Sequence, residues 1–402
     1  MPKNKSSRAA QGSGTIRQRK DGTWEARYTS GYDTGTGKQI QRSVYGKSQR
    51  EVLTKLQSIN VSLENGTYLE PSKMTVAQWL DIWTADFMGD KKYLTVKSYN
   101  AQCRAHIKPG LGALKLSSLR PHEVQRFYNS LQNGDGDKKP LSPKSVRNVH
   151  GILTKSLSQA VQQGYLRSNP AERATLPRVE KVSIKPLTDE QVSGFLVAAD
   201  LDSEYGTLLK VILLTGMRES EAVGLTWDCV DFNSGSITVC KQLQKRLKKD
   251  GGYTFAPLKN DKRRSITPAT FVMELLFEQR KIQAQQRLKA GMAWEAWSSE
   301  KERETALVFT TALGTNLGVN TAYNHFKKIA TQIGAPDACV HDLRHTFAVL
   351  SLQNGDDIKT VQENLGHSTA AFTLDVYGHV SERMKKDSAD RMQEYLKGIK
   401  NL

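Results

Sequence analysis

Cysteine is scarce and scattered. Cys103, Cys229, Cys240 and Cys339 stand far apart with no CxxC pair, which speaks against a zinc ribbon and a disulfide framework and leaves reduced, packed thiols as the expectation. Long apolar runs are missing too. Nowhere do eighteen apolar residues follow one another, so no segment reads as a transmembrane helix. The opening MPKNKSSRAAQGSG is basic and rich in Gly and Ser but lacks the apolar stretch of a secretory signal. A cytosolic chain without membrane attachment is the expectation. Acidic residues are outnumbered, 41 against 58 basic ones, for a formal charge of +17. The excess is uneven: residues 1–65 carry +7, residues 66–180 carry +8, and residues 181–402 only +2. Lys and Arg that displace condensed counterions gain affinity for a polyanion, so nucleic acid is the partner class this distribution favours. A merely soluble basic surface is the plainer alternative.

A chain of 402 residues exceeds one ordinary core, and two or three domains are expected. Gly14 to Arg19, Thr23 to Thr29 and Lys38 to Val44 read as short strands, the first two joined by Asp21-Gly22, a strong hairpin signal. In the second, Trp24, Ala26 and Tyr28 share one face and Glu25 and Arg27 the other. Ser48 and Glu51 form a capping box ahead of Val52, Leu56, Ile59 and Leu63 at helical spacing. Arg17, Arg19, Lys20 and Arg27 make this small sheet basic, and a narrow sheet can enter a major groove; solvated charges on a β module are the alternative.

Residues 66–73 read as a linker. Thr75 with Gln78 caps a helix bearing Val76, Trp79, Leu80 and Trp83, and three more helices are expected near Thr95 to Ile107, Pro121 to Leu131 and Pro143 to Gln163, the last with Ser142 as its cap and Gly164 as its stop. Lys97, Arg104 and Lys108 lie on or just after the second helix, and Lys144, Arg147 and Lys155 on the fourth. Each cation alone is more often a solvated charge. Six on two helices favour duplex contact. Residues 176–186 read as a second linker, after which Thr188 and Gln191 cap another helix. Strand-like Ser236 to Gln242, Tyr253 to Pro257 and Arg264 to Thr267 then interrupt a mainly helical pattern.

Chemistry-bearing residues gather late in the chain. Arg218 follows Thr215-Gly216-Met217 at a helix start; His341-Asp-Leu-Arg344-His345 places His341 and Arg344 on one helical face; Gly366-His367 precedes Tyr377 by ten residues. The ordered set resembles the tyrosine recombinase family, of the phage and conjugative-transposon integrase type. The resemblance covers nearly the whole chain, strongest from Thr215 to His379 and weakest before residue 65. It implies a multidomain, mainly α fold with small β-sheets (α+β): an N-terminal arm-binding three-stranded sheet plus helix over 1–65, a four-helix SAM-like core-binding domain over 72–178, and a mixed α/β catalytic domain with a C-terminal tail helix over 183–402.

Carried over residue by residue, the resemblance makes Arg218, His341, Arg344 and His367 catalytic and Tyr377 the nucleophile. The family's hairpin lysine falls on Lys259, with Lys262 as its rival. No cofactor or metal is implied. The partners implied are double-stranded DNA at core- and arm-type sites, a homotetramer acting through a Holliday junction, and accessory proteins of the excisionase and DNA-bending kinds. Physical chemistry asks for the same groups. A phosphodiester is anionic, and two guanidinium forks can neutralise charge growing on its oxygens. A free phenol titrates at about 10 and needs help to lose its proton.

Plainer readings exist for each residue: Arg218 as a helix-start salt bridge, His341 and His345 as an i,i+4 metal pair, Tyr377 as a core phenol. Glu221 reads as a structural partner, and His106, His122, His150 and His325 match nothing in the motif set. A topoisomerase-like relaxase, a DNA-binding regulator with a dead catalytic fold and a metal-dependent nuclease are the competing functions.

Overall fold

The computed structural model describes residues 15–33, 35–65, 68, 73–134, 139–180, 185–246, 252–258, 262–297, 299–366 and 382–400. It divides into two compact units, residues 1–181 and 182–402, helical for the most part with small antiparallel sheets, as expected.

In the first unit, β1 (Thr15–Gln18), β2 (Trp24–Tyr32) and β3 (Gln39–Gly46) form an antiparallel sheet in that order. The alternation in β2 places Ala26 and Tyr28 against Val52 and Leu56 of α1 (Gln49–Glu64), a small core of its own. Strand β2 runs past Thr29 because the register shifts between Thr29 and Gly31, a bulge that carries pairing on to Tyr32 and Gln39, and β3 runs past Val44 because Tyr45 and Gly46 pair with Glu25 and Trp24. Ser48 caps α1, but the reciprocal arm of the expected box differs: the Glu51 carboxylate accepts from the Lys47 N–H.

The helical part comprises α2 (Val76–Asp86), α3 (Tyr93–Gln102), a π turn (Cys103–Ile107), α4 (Lys108–Leu111), α5 (Pro121–Asn133) and α6 (Pro143–Gln162). The expected stop near Ile107 is a wide turn, and the helix continues to Leu111. Pro109 has no N–H for Ala105, and the ladder is offset there: Lys108 N–H reaches back to Cys103. Trp79 anchors this second core, fully buried, with its indole N–H on the Ser156 carbonyl at 2.9 Å.

The second unit is organised around α8 (Gly206–Thr215), which is buried on nearly every side. It is flanked by α7 (Asp189–Asp200), α10 (Thr270–Ala290) and α13 (Val340–Gln353). Gly216 ends α8 in the left-handed region at φ 64°, where a Cβ would lie 2.4 Å from the Phe347 ring. The chain then enters α9 (Glu219–Val223). The expected strand Ser236 to Gln242 is two strands: β5 (Ser236–Val239) pairs with β4 (Val230–Asp231) and β8 (Arg264–Ile266), whereas β6 (Gln242–Lys245) pairs with β7 (Tyr253–Ala256). Gln242 explains the break. Buried, it accepts from Ser220 and donates to the Pro257 carbonyl, which commits β6 to the α9 side. Helices α11 (Glu300–Thr305), α12 (Val319–Gln332), α14 (Ile358–Leu365) and α15 (Glu382–Lys400) complete the described chain. Among the described residues no helix is long and apolar enough to cross a membrane.

Candidate active site and DNA-facing residues

Arg218 is the residue before α9, and Glu221 grips it twice. One carboxylate oxygen accepts from the Arg218 backbone N–H at 3.0 Å, the other from its Nη1 at 2.7 Å. The salt bridge foreseen as the plain reading of Arg218 is therefore present. It does not use up the side chain, which stays 22% exposed and turns Nη2 toward the Gly366 carbonyl at 3.4 Å. Glu221 itself is 1% exposed, and a buried carboxylate needs strong partners. The second is Arg264 on β8, whose Nη2 lies 2.5 Å from Glu221 Oε2. Burial alone would raise this carboxyl, but the bonds from Arg264 and Arg218 outweigh it and hold Glu221 at about 2.

Arg344 approaches from α13, buried, donating Nη1 to the Gly216 carbonyl and Nη2 to the Leu365 carbonyl, each at 2.6 Å. Arg264 Nε donates to the Asn364 carbonyl at 2.8 Å. Three guanidinium groups thus meet three consecutive carbonyls, those of 364, 365 and 366, at the C-terminal end of α14. The last carbonyls of a helix have no partner within it and carry partial negative charge, which is why cations collect there. Gly366 closes the helix at φ 64°, and the chain proceeds toward His367 and Tyr377.

His341 lies one turn before Arg344 on α13. Its ring meets that of His345 edge-on, 4.7 Å between centroids. Burial, then the neighbouring His341, lowers His345 to about 4, so that ring is neutral near pH 7. Among the described residues no group of three or more His, Cys, Asp or Glu side chains gathers as a metal site would require. Lys262 is exposed just ahead of β8. Lys259, His367 and Tyr377 lie outside the described residues.

The expected DNA-facing cations fall into two kinds. Lys20, Lys97 and Lys144 are exposed, and Arg19, also exposed, lies over Tyr45 and 3.9 Å from Asp21. The others are already engaged. Arg17 and Arg27 pair with Glu25 at 2.7 and 3.3 Å, and Lys108 pairs with Asp81. Arg104 bonds the Asn100 carbonyl, Arg147 the Pro177 carbonyl and Lys155 the Tyr99 hydroxyl. Two histidines outside the motif set take structural roles: His325 sits 2.5 Å from Asp202 and stacks on Tyr205, and His150 bonds the Tyr128 hydroxyl.

Residues 185–384 match the phage integrase family, and residues 75–132 match the N-terminal SAM-like domain of phage integrases. An integrase of Streptomyces ambofaciens is 30% identical over 363 residues, spanning 88% of both chains. The chain belongs to the phage integrase family. A XerC-like tyrosine recombinase of Caldanaerobacter subterraneus is 27% identical, over 89% of this chain and 93% of its own. Among solved structures, the Tn1549 transposon integrase bound to a circular intermediate DNA matches with a TM-score of 0.64 at 21% identity, over 79% of this chain and 99% of that one. A lambda integrase tetramer on a Holliday junction matches at 0.55 and 18%, over 91% and 96%. These two likenesses speak to the fold.

Arg264 is the member of this cluster that sequence reasoning missed. It stands in the run Lys262-Arg263-Arg264, where three cations look alike. The available signal was alternation: Ile266, two residues on, is a core residue, and strand period two sends Arg264 to the same buried side.

Proposed function

We propose that this tyrosine recombinase cuts and rejoins DNA at specific sites with Tyr377 as its nucleophile. The convergence of Arg218 and Arg344 on the backbone that leads directly into His367 is the observation that supports it most. The two guanidinium groups, with His367, hold the non-bridging oxygens of the scissile phosphate and neutralise the charge that grows there. His341 assists loss of the phenolic proton. The Tyr377 oxygen bonds to phosphorus, the bond from phosphorus to the 5′ oxygen breaks, and a lysine of the β7–β8 loop, Lys259 with Lys262 as rival, gives that oxygen its proton. The products are a 3′-phosphotyrosyl ester and a free 5′ hydroxyl. Because the ester conserves the bond energy, a 5′ hydroxyl from a second duplex reseals the strand without ATP, by way of a Holliday junction.

In the same proposal residues 1–65 bind arm-type sites, residues 72–178 bind core-type sites and residues 183–402 carry the chemistry. Four protomers act on two duplexes, aided by a directionality factor and a DNA-bending protein, to integrate and excise a mobile element in the bacterial cytoplasm. The names of the relatives, integrases and recombinases, support this reading. So does α15, whose Met392, Tyr395, Leu396 and Ile399 are all exposed, an apolar edge suited to a neighbouring subunit.

The test is covalent capture. Wild type and Tyr377→Phe are incubated with a nicked duplex spanning one end of the element that carries the gene, in EDTA. Only the wild type should give an SDS-resistant adduct, through a 3′ phosphate. An adduct formed by the variant would assign the nucleophile elsewhere, and an absolute need for a divalent ion would favour a metal-dependent nuclease.

A further inference from the structure

The chemistry proposed above gives Arg264 no part, yet Arg264 is the more enclosed of the two arginines on Glu221: its side chain is 8% exposed against 22% for Arg218. Strand β8 pairs Arg264 with Val239 and Ile266 with Ile237, and those three apolar neighbours are core residues. A guanidinium turned inward beside them is tolerated only when it is paired. Its two acceptors, Glu221 Oε2 at 2.5 Å and the Asn364 carbonyl at 2.8 Å, belong to different elements. Glu221 lies on α9, the helix that Arg218 opens; Asn364 lies in the last turn of α14, two residues before Gly366. Gly366 gives the fork room, since a Cβ there would stand 3.1 Å from Arg264 Cδ and Nη1. One planar group therefore ties three pieces together: the strand that follows the lysine-bearing loop, the helix start that presents Arg218, and the segment running to His367.

We propose that Arg264 is a positioning residue for strand cleavage, aiming the Arg218 guanidinium through Glu221 while the Asn364 carbonyl anchors the other edge of its own plane. The inference rests on the reading that Arg218 holds the scissile phosphate. Without Arg264, Glu221 keeps a single cation and turns toward it, and Arg218 follows its carboxylate away from the phosphate. A lysine cannot replace the fork. It offers a point charge on a flexible stem, whereas the contacts here use the Nε and Nη2 edges of one rigid plane in two directions.

Single-turnover cleavage of the nicked duplex by the full chain tests this. Arg264→Lys should cleave about 100-fold more slowly than wild type, the scale expected when a reacting group is displaced by about 1 Å, with duplex affinity and melting temperature little changed. Added to Arg218→Ala, Arg264→Lys should cost no further factor beyond about twofold, because it acts through the missing guanidinium. A Glu221→Gln/Arg264→Met pair, which leaves no buried charge unpaired, carries the test should the lysine variant fail to fold; it too should be about 100-fold slow. Arg264→Lys, or the folded pair, cleaving within about twofold of wild type overturns the proposal. A full multiplicative loss on top of Arg218→Ala also overturns it, since damage to the fold would act independently of Arg218. Wild-type cleavage by Arg218→Ala alone would instead overturn the reading of the phosphate site.

Discussion

Replacing Glu221 by glutamine removes the carboxylate on which both arginines are set, and its cost can be worked from the structure. Glu221 is 1% exposed, with its carboxyl lowered from 4.5 to about 2 in the folded chain. At about 1.4 kcal/mol for each tenfold change in acidity, the fold favours the charged form by about 3 kcal/mol. That lies at the lower end of the roughly 3–5 kcal/mol lost when one partner of a buried pair is removed. The pH dependence has a definite sign. A carboxyl whose value is depressed on folding contributes fully above its ordinary 4.5 and loses that contribution as pH falls toward about 2. At pH 7 Glu221→Gln should therefore melt about 6–12 °C below wild type, at about 2–4 °C per kcal/mol for a unit of this size. The gap should narrow as pH falls below 4.5. Calorimetry of the full chain at several pH values measures it, with limited proteolysis assigning the transition to residues 182–402. A gap below about 1 kcal/mol at pH 7, within the range of an ordinary surface pair, or one that stays constant in acid, would refute the reasoning.

Gly216→Ala should destabilise the same unit by about 3 kcal/mol in urea titration, about 1–2 for a left-handed residue with a Cβ and the rest for crowding the Phe347 ring; an unchanged midpoint would show that the helix end can relax. Lys97→Ala and Lys144→Ala, both at exposed positions, should each reduce the slope of log affinity against log salt by about 1 on duplex DNA. Lys108→Ala, whose cation pairs with Asp81, should change the slope less. A slope unchanged from wild type in Lys97→Ala or Lys144→Ala would remove that residue from the DNA-facing set.

What the sequence made legible was whatever depends on local pattern. Thr75 with Gln78 and Thr188 with Gln191 form complete capping boxes, and Ser142-Pro143 opens α6 where expected, because caps act over three or four residues. Arg218, His341 and Arg344 stood out for their residue types at fixed spacing. What stayed hidden was non-local. Nothing in the stretch Gln242 to Lys245 reveals a strand until Tyr253 to Ala256 pairs with it, and the contact between Arg264 and Asn364 spans a hundred residues. The π turn at Cys103 is intermediate: Pro109 marks the trouble, but only packing decides whether the helix stops or widens.

The same device occurs in both units, and it bears on how an arginine can be both paired and available. In the N-terminal sheet Glu25 is 3% exposed. It accepts from Ser43 and from Arg17 and Arg27, which hold it at about 2. The two cations stay 57% and 47% exposed. In the second unit buried Glu221 holds Arg218 by one edge and leaves it partly open. A guanidinium has five donors, and a carboxylate beneath it occupies one or two while removing much of the rotamer freedom that a phosphate contact would otherwise have to freeze. The cost is some net charge, and with it long-range attraction. This trade suits a residue that must point in one direction and does not suit one that only gathers DNA from a distance. If the proposed DNA contacts hold, exposed Lys20, Lys97 and Lys144 serve attraction and Arg17, Arg27 and Arg218 alignment, and substitutions in the second group should weaken discrimination between sites, or the cleavage step, more than they weaken overall affinity.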